Sequence, residues 1–217
     1  MSDANDSRQF ASSPCSMHEL ENDWERVKAW RSERRKGLVK QRLSVDADTR
    51  RNLSGVIVAQ LAELLDVSTY PTLGFYWPIR GEIDVRELAR MHLAGGGKTA
   101  LPVIVTKHAP VEFWQWHPGM RTERGVLDIP VPRERHVLTP DVLVIPLIGF
   151  DRAHFRLGYG GGYYDRTLAT AATRRPLAIG VASADAELHT IYPQPHDVPM
   201  DVIVTDQFVL GADAVRR

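Results

Sequence analysis

Cysteine is almost absent from this sequence of 217 residues, which contains one, Cys15. A single cysteine excludes an internal disulfide, so a reducing compartment is the natural expectation. Cys15 lies in a polar stretch that offers no electropositive pocket, and a catalytic thiol is therefore not expected. The chemistry of the chain must come from other side chains.

Long apolar runs and a net charge are missing as well. No run of about 18 apolar residues occurs, and the opening MSDANDSRQFASSPCSM lacks the apolar segment of a signal peptide. The 27 Lys and Arg residues balance 27 Asp and Glu residues, so no overall field favours nucleic acid or a membrane as a partner. These absences predict a cytoplasmic protein. Its length favours a single domain over residues 21–217, after a disordered tail over 1–20, and we expect a monomer.

Helix-like and strand-like stretches alternate along the chain. Helical patterns lie over 21–42, 53–65, 84–93 and 163–173, the first of them basic and the third opening on a predicted capping pair of Asp84 and Glu87. Apolar runs predict strands over 72–77, 99–105, 111–116, 141–150, 177–181 and 201–205. The segment 118–140, interrupted by prolines, is predicted to be irregular. Because parallel strands need crossover connections, this alternation predicts an α/β fold with a mostly parallel sheet.

The stretch RLGYGGGYYD, Arg156 to Asp165, places four glycines in five residues between a buried predicted strand and a helix. Ligands of parallel α/β sheets bind beyond the carboxyl ends of the strands, where glycine backbone and a helix N-terminus favour an anion. Arg156 and Arg152 would supply donors for phosphate, and Tyr159 would pack against a flat ring or bond through its hydroxyl group. The residues therefore predict an anion-binding loop. The alternative is a tight turn whose glycines only permit close packing.

The two common phosphate-binding motifs do not describe this loop. A Walker loop requires Gly-Lys followed by Ser or Thr, which the sequence lacks. A dinucleotide-binding GxGxxG pattern that starts at Gly158 would require a glycine at position 163, where Tyr163 stands. The loop must belong to another class of site.

RLGYGGGYYD, preceded by PLIGFD from Pro146, resembles the signature of the 5-formyltetrahydrofolate cyclo-ligase family, also called methenyltetrahydrofolate synthetases. The resemblance extends to FYWPIRGEID from Phe75, to ALPVIV and VEFWQW, and to HDVPMDVIVTD from His196, and it covers about residues 27 to 206. It implies a three-layer α/β/α, Rossmann-like single domain. The implied reaction is the ATP-dependent cyclisation of 5-formyltetrahydrofolate to 5,10-methenyltetrahydrofolate, with ADP and phosphate as the other products.

The resemblance also implies roles for individual residues. Arg156 and Tyr163 match the catalytic positions, and Asp165 and Asp197 match positions associated with Mg²⁺. The positions that bind ATP correspond to Arg31, Arg35, Arg156, Leu157, Gly158, Tyr159, Gly160, Gly161, Gly162, Tyr163 and Tyr164. The positions that bind the folate correspond to Trp77, Glu82, Tyr159, Gly160, Gly161, Gly162 and Tyr163. We expect Arg156 to lie at the solvent edge, where its removal would leave the fold intact.

Ordinary structural roles remain open for several of these residues. Asp165 would also suit a helix N-terminus, and Asp197 would suit a turn. Glu82 would also suit a solvated loop, and Trp77 would suit an apolar core.

The first helix offers no unique register for its ATP contacts. Its candidate cations are Lys28, Arg31, Arg34, Arg35, Lys36 and Lys40. Arg31 and Arg35 form the best pair at a spacing of four residues, although a solvated basic face remains an alternative for each cation. Gly161 stands where some relatives carry lysine, which places more demand on Arg156 and on the helix.

Two other functions are compatible with the sequence. The first is a cyclo-ligase-like protein that binds ATP but acts on another substrate. The second is a nucleotide-binding or RNA-binding module without enzymatic activity. The basic helix is its only support, because the interleaved aromatic and basic residues of RNA-binding platforms are not visible.

Overall fold

The computed structural model describes residues 23–170 and 175–215, so the tail predicted over 1–20, with Cys15, lies outside the described residues. The α-helices are α1 (Trp24–Ser44), α2 (Ala47–Leu64), α3 (Arg86–Ala94) and α4 (Tyr163–Thr170). The strands are β1 (Thr72–Gly74), β2 (Lys98–Val103), β3 (Glu112–Trp116), β4 (Thr122–Arg124), β5 (Pro130–Pro132), β6 (Val137–Leu138), β7 (Val142–Pro146), β8 (Gly149–Phe150), β9 (Arg156–Leu157), β10 (Leu177–Val181), β11 (Val202–Val204) and β12 (Val209–Leu210). Short 3₁₀ turns lie at Val126–Asp128, Ala184–Ala186 and Ala212–Ala214.

The main sheet has eight strands in the order β12-β11-β10-β7-β1-β2-β3-β6. The five strands from β11 to β2 run parallel, while β12 at one edge and β3 and β6 at the other are antiparallel to their neighbours. The predicted α/β fold with a mostly parallel sheet is confirmed. The chain passes from β1 to β2 on one side and later to β7 on the other, so the carboxyl ends of β1 and β7 flank the topological switch point.

The central strand β7 shows why the sheet is covered on both faces. Val142 and Val144 belong to one apolar cluster, while Leu143 and Ile145 belong to a second. Successive side chains of a strand point to opposite faces, so a strand between two helical layers has to be apolar throughout. The first cluster includes residues of α2 and α3, and the second includes Leu168 of α4. The result is the three-layer arrangement that the resemblance implies.

The strand predicted over 141–150 is wrong in its length, because β7 ends at Pro146. Proline has no N–H group to continue the ladder, and the chain leaves the sheet after it. Gly149–Phe150 then pairs with Arg156–Leu157 as a separate two-stranded ribbon. The ribbon, rather than the buried strand, leads directly into the glycine loop.

Two other local predictions are wrong. The segment 118–140 contains the β4–β5 hairpin and β6, because residues with extended backbone pair across it in spite of the prolines. Helix α3 begins at Arg86 with Val85 as its N-cap, and no side chain caps it. Asp84 accepts hydrogen bonds from the backbone and guanidinium of Arg86, while Glu87 pairs with Arg90, so the predicted capping pair does not form.

Candidate active site

A cavity of about 910 Å³ opens beyond the carboxyl ends of the parallel strands. Its walls come from α1, the segment after β1, the β4–β5 hairpin, the glycine loop and the start of α4. This volume lies toward the upper end of the range usual for small-molecule sites. The site residues that the family resemblance implies all line the cavity: Arg31, Arg35, Trp77, Glu82, Arg156, Leu157, Gly158, Tyr159, Gly160, Gly161, Gly162, Tyr163, Tyr164, Asp165 and Asp197.

The glycine loop, residues 158–162, forms a wall of this cavity just before α4. Gly160 has φ of +89° and Gly162 has φ of +63°, values that residues with a Cβ rarely adopt. A Cβ at Gly162 would also lie 2.8 Å from the Nη1 atom of Arg166. The loop therefore depends on glycine for its backbone shape, and it presents that backbone to the cavity.

Arg166 and Tyr163 hold the far side of the loop. The Nη2 atom of Arg166 donates a hydrogen bond of 2.5 Å to the carbonyl oxygen of Gly161. The same guanidinium lies 5.3 Å from the centroid of the Tyr163 ring, within the range of a cation–π contact. These contacts fix the loop against the first turn of α4.

Helix α1 supplies cationic side chains to the opposite wall. Arg35 donates from Nε to the carbonyl oxygen of Gly158 at 2.6 Å, which ties the helix to the loop. Burial, and after it the positive charge of Arg31, lowers the pKa of Arg35. An anion placed beside Arg35 would be stabilised by this positive charge.

Arg31 is buried and forms an ion pair with Asp197. Its Nη2 atom lies 2.5 Å from Oδ2 of Asp197 and also donates to the carbonyl oxygen of Tyr192 at 2.8 Å, while Nε donates to that of Ile191 at 2.9 Å. Asp197 accepts a further hydrogen bond from the backbone N–H of Gln194. The predicted ATP contact and the predicted metal ligand therefore meet each other in this structure.

Arg156 forms a second ion pair, with Asp165. Its Nη2 atom lies 2.7 Å from Oδ1 of Asp165, and Nη1 donates to the carbonyl oxygen of Val198 at 2.8 Å. Only 8% of the Arg156 surface is exposed, so the expectation that it lies at the solvent edge is wrong. The reason is its place in β9, where it packs under the loop that it precedes. Arg152, the other expected phosphate donor, pairs instead with Glu187 at 2.7 Å.

The two aspartates lie close together on the cavity wall. The backbone N–H of Val198, next to Asp197 in the chain, donates to Oδ1 of Asp165 at 3.1 Å. Within residues 23–170 and 175–215, no group of three or more His, Cys, Asp or Glu side chains is arranged to hold a metal ion. Two carboxylates alone suit Mg²⁺ that is also bound by substrate phosphates, because this ion commonly takes only one or two carboxylates from the protein.

Glu82 and Trp77 form the other end of the site. Glu82 is 5% exposed, accepts from the backbone N–H of Ile79 at 2.9 Å and from the hydroxyl group of Tyr159 at 3.1 Å. Burial raises the pKa of Glu82. The ring of Trp77 packs edge-on against Trp116, with centroids 6.4 Å apart. An acceptor beside an indole ring suits a flat heterocycle with N–H donors.

Tyr159 joins the two ends of the cavity, because it belongs to the glycine loop and reaches Glu82. Burial, followed by the negative charge of Glu82, raises the pKa of the Tyr159 hydroxyl. Tyr164 is half-buried at the start of α4, and burial likewise raises its pKa well above the ordinary value. Both tyrosines therefore stay neutral and can donate hydrogen bonds.

The sequence prediction missed one residue of this network, Arg42. It lies in the last turn of α1 and donates from Nη2 to the hydroxyl oxygen of Tyr159 at 2.7 Å. The spacing of Arg31, Arg35 and Arg42 carries the missing signal, because residues at i, i+4 and i+11 share one face of an α-helix. The remaining basic candidates of α1 are more exposed, and Arg34 stacks on Trp30 instead.

The sheet order, the glycine loop and the paired arginines and aspartates define a Rossmann-like α/β protein with a charged cavity beyond the carboxyl ends of its parallel strands. Sequence comparison then makes the class specific. The chain belongs to the 5-formyltetrahydrofolate cyclo-ligase family, whose sequence profile matches residues 27–206. The resemblance stated from the motifs is confirmed.

Individual relatives agree with this assignment. The chain is 32% identical over 142 residues to the 5-formyltetrahydrofolate cyclo-ligase of Mycolicibacterium smegmatis, covering 62% of this chain and 73% of the relative. It is 31% identical over 149 residues to the enzyme of the same name from Escherichia coli, covering 63% of this chain and 82% of the relative. The NMR structure of 5,10-methenyltetrahydrofolate synthetase from Aquifex aeolicus superposes with a TM-score of 0.72 at 28% identity, covering 83% of this chain and 91% of that one. These relatives are named as ligases or synthetases.

Across the described ranges of the chain, the helices are too short or too polar to cross a bilayer.

Proposed function

We propose that this protein catalyses the ATP-dependent cyclisation of 5-formyltetrahydrofolate to 5,10-methenyltetrahydrofolate. One observation carries the proposal: Tyr159, in the glycine loop, donates a hydrogen bond of 3.1 Å to Glu82 within one cavity. The contact supports a site in which the glycine loop binds the phosphates of ATP while Glu82, with Trp77 in the same cavity, binds a pterin. The family membership of the chain supports the same reaction.

The chemistry explains why both ends must share a cavity. The oxygen of an N-formyl group is a poor leaving group, so attack by N10 on the formyl carbon cannot be completed by loss of oxide. Transfer of the γ-phosphoryl group of ATP to that oxygen creates a phosphate leaving group and an electrophilic, iminium-like carbon. N10 then attacks this carbon and closes the ring; the bond to the phosphate oxygen breaks, and loss of phosphate and of the N10 proton gives the methenyl product. The protein must therefore hold the two substrates face to face, and it accelerates transfer by positioning and electrostatics.

The nucleotide end of the cavity supplies the electrostatics. Backbone N–H groups of Gly160 to Gly162 face the transferring phosphoryl group, and Arg31 and Arg35 approach it from α1. Arg156 lies below the loop, where its charge stabilises negative charge that develops on the phosphoryl oxygens. Tyr163 lies at the start of α4, beside the formyl end of the folate.

In the proposed reaction, Mg²⁺ binds together with the nucleotide. Asp165 and Asp197 would hold the ion, and the chemistry that it supplies when bound is neutralisation of phosphate charge. In this structure, each carboxylate is paired with an arginine. Affinity for the free ion is therefore low, and the phosphates of ATP are needed to complete its ligands.

The folate end of the cavity supplies recognition. Glu82 accepts hydrogen bonds from the amino and ring N–H groups of the pterin, and Trp77 covers one face of the ring. A substrate without these donors would cover the buried carboxylate without adding to its hydrogen bonds from Ile79 and Tyr159, and it would bind less tightly. This end of the site thus favours a pterin over the alternative of an unrelated substrate.

The RNA-binding alternative loses its main support, which was the basic helix. Arg31, Arg35 and Arg42 all donate to groups of the protein itself, so this face of α1 is directed toward the protein rather than toward solvent. Salt-dependent retention of RNA without Mg²⁺-dependent ATP hydrolysis would still favour that function.

The assay is direct. Purified protein is mixed with 5-formyltetrahydrofolate and MgATP, and the absorbance of the methenyl product is followed, with omission of ATP as the control. We expect product to form only in the complete mixture. A protein that binds ATP but forms no product would contradict the assignment of the substrate and favour the cyclo-ligase-like alternative.

A further inference from the structure

Arg42 lies where three segments of the site meet. Its side chain is 18% exposed and donates to the carbonyl oxygen of Arg80 at 3.0 Å and to that of Leu147 at 3.5 Å. Arg80 follows β1 and Leu147 follows β7, so the guanidinium spans the switch point of the sheet. Its third contact is the hydroxyl oxygen of Tyr159 in the glycine loop, at 2.7 Å.

A directed chain of hydrogen bonds leads from Arg42 to Glu82. Arg42 donates to the Tyr159 oxygen, and this oxygen in turn donates its proton to Oε1 of Glu82. The guanidinium also lies 4.0 Å from that carboxylate oxygen. Since Tyr159 must accept from a cation that cannot lose its proton, its own O–H is directed toward Glu82. The other carboxylate oxygen is held by the backbone N–H of Ile79.

From this arrangement we propose that Arg42 is a positioning residue that keeps Glu82 ionised and oriented toward the folate. The inference rests on the function proposed above and adds to it a residue that makes no direct contact with the cavity. Arg42 acts through Tyr159 and through its charge, so its effect falls on folate recognition and leaves ATP binding to Arg31 and Arg35.

The charges around Glu82 show why it needs this help. Burial raises the pKa of Glu82, and the guanidinium groups of Arg42 and Arg80 oppose that shift. The titratable and charged groups that interact with it come from three segments: Arg42 of α1, Tyr76 and Arg80 after β1, and Tyr159 and Tyr164 around the glycine loop. Glu82 also lines a second, smaller cavity, together with Arg50 of α2, Asp185 and Asp206. The Arg42 guanidinium lies 4.0 Å from the carboxylate and is also linked to it by hydrogen bonds through the Tyr159 hydroxyl group. Loss of this cation should therefore make Glu82 easier to protonate.

The test compares Arg42→Gln with Arg26→Gln, a matched change of an exposed arginine in the first turn of the same helix. The readout is the pH profile of kcat/KM for 5-formyltetrahydrofolate. We expect Arg42→Gln to move the acid limb upward by about one pH unit and to raise the KM for the folate about tenfold near neutral pH. The KM for ATP should change less than about twofold, and Arg26→Gln should match the wild type in all three values.

Further variants separate positioning from simple support of the fold. Arg42→Lys retains the charge but not the planar fork, so the acid limb should stay near its wild-type position while the folate KM rises. Tyr159→Phe breaks the hydrogen-bonded link, and its effect on the folate KM should not add to that of Arg42→Gln. If kcat falls and both KM values rise to the same extent in all of these variants, and the acid limb does not move, Arg42 only supports the structure and the proposal is wrong.

An NMR titration of protein labelled with ¹³C-glutamate measures the change in the pKa of Glu82 without requiring catalysis. Glu82 is assigned by comparison with Glu82→Gln, and its pKa should be higher in Arg42→Gln than in the wild type or in Arg26→Gln. If Arg42→Gln does not fold, Tyr159→Phe carries the measurement, with an expected shift in the same direction. An unchanged pKa would overturn the role of Arg42 alone, whereas absence of turnover by the wild type would overturn the proposed reaction.

Discussion

Arg31 of the first helix and Asp197, 166 residues later, form an ion pair across 2.5 Å. One of these residues is predicted to bind ATP and the other to bind Mg²⁺, yet in this structure they neutralise each other. The same relationship holds for Arg156 and Asp165. Under the proposed function, binding of phosphate and Mg²⁺ therefore requires these four residues to exchange partners.

Asp197→Asn should weaken both the fold and the nucleotide site. It leaves the buried Arg31 guanidinium without its anionic partner, and loss of one member of a buried pair costs about 3 kcal/mol of unfolding free energy. Urea unfolding measures that change, and the KM for MgATP should rise with it. Glu87→Gln, which breaks the exposed pair with Arg90, is the control and should cost less than about 1 kcal/mol. Equal losses of unfolding free energy from the two variants would show that burial of the Arg31–Asp197 pair adds nothing to its effect on stability.

Arg156→Ala should destabilise the protein as well as inactivate it. The change removes a donor from the carbonyl oxygen of Val198 and a charge from Asp165, and we expect a loss of about 3 kcal/mol. Turnover should fall by about a hundredfold or more when measured under conditions that keep the variant folded. Circular dichroism during thermal unfolding checks the first effect and the product assay the second. Normal turnover by folded Arg156→Ala would exclude its phosphate role.

Gly160→Ala and Gly158→Ala form a matched pair within the loop. At Gly160 the φ of +89° makes any Cβ unfavourable, with an expected loss of about 1 to 2 kcal/mol. At Gly158 a Cβ meets no atom within 4 Å, so alanine there should leave stability unchanged or slightly improved. Comparison of the two unfolding free energies checks the loop geometry, and similar values would contradict it.

Glu82→Gln should separate stability from activity. Because burial raises the pKa of Glu82 in the folded state, folding favours the protonated form, and the wild type loses stability as pH rises through the window above the ordinary glutamate pKa. Glutamine does not ionise, so the melting temperature of the variant relative to the wild type should rise between about pH 4 and pH 8. Folate turnover should fall at the same time. A melting difference that does not change with pH would show that Glu82 has no raised pKa.

The regular part of the fold follows directly from local sequence. The run Leu177–Val181 is a strand at the bounds that its apolar residues predict, because a strand buried on both faces must be apolar at every position. The run over 141–150 satisfies the same rule along its whole length, but the chain turns after Pro146. Periodicity cannot show where such a run leaves the sheet.

The sequence could predict which residues belong to the site, but not the contacts that these residues make with one another. The glycine loop and the family resemblance identified fifteen residues that line the cavity, whereas the pairing of these residues depends on contacts between distant parts of the chain. Arg156 looked exposed because arginine usually is, and its burial follows from Asp165 and the carbonyl oxygen of Val198, which the fold brings to it. Arg42 was overlooked among many cations, although its spacing from Arg31 and Arg35 places it on their face.

The buried residues of helix α1 are Val27 and Arg31, and much of its attachment to the site runs through guanidinium groups. Detachment of the helix therefore exposes little apolar surface, and its opening costs less free energy than opening of the central sheet. Backbone amides of α1 should exchange with deuterated solvent before those of β7. Bound nucleotide should slow that exchange, because under the proposed function it contacts Arg31 and Arg35 and thereby holds α1 against the rest of the protein.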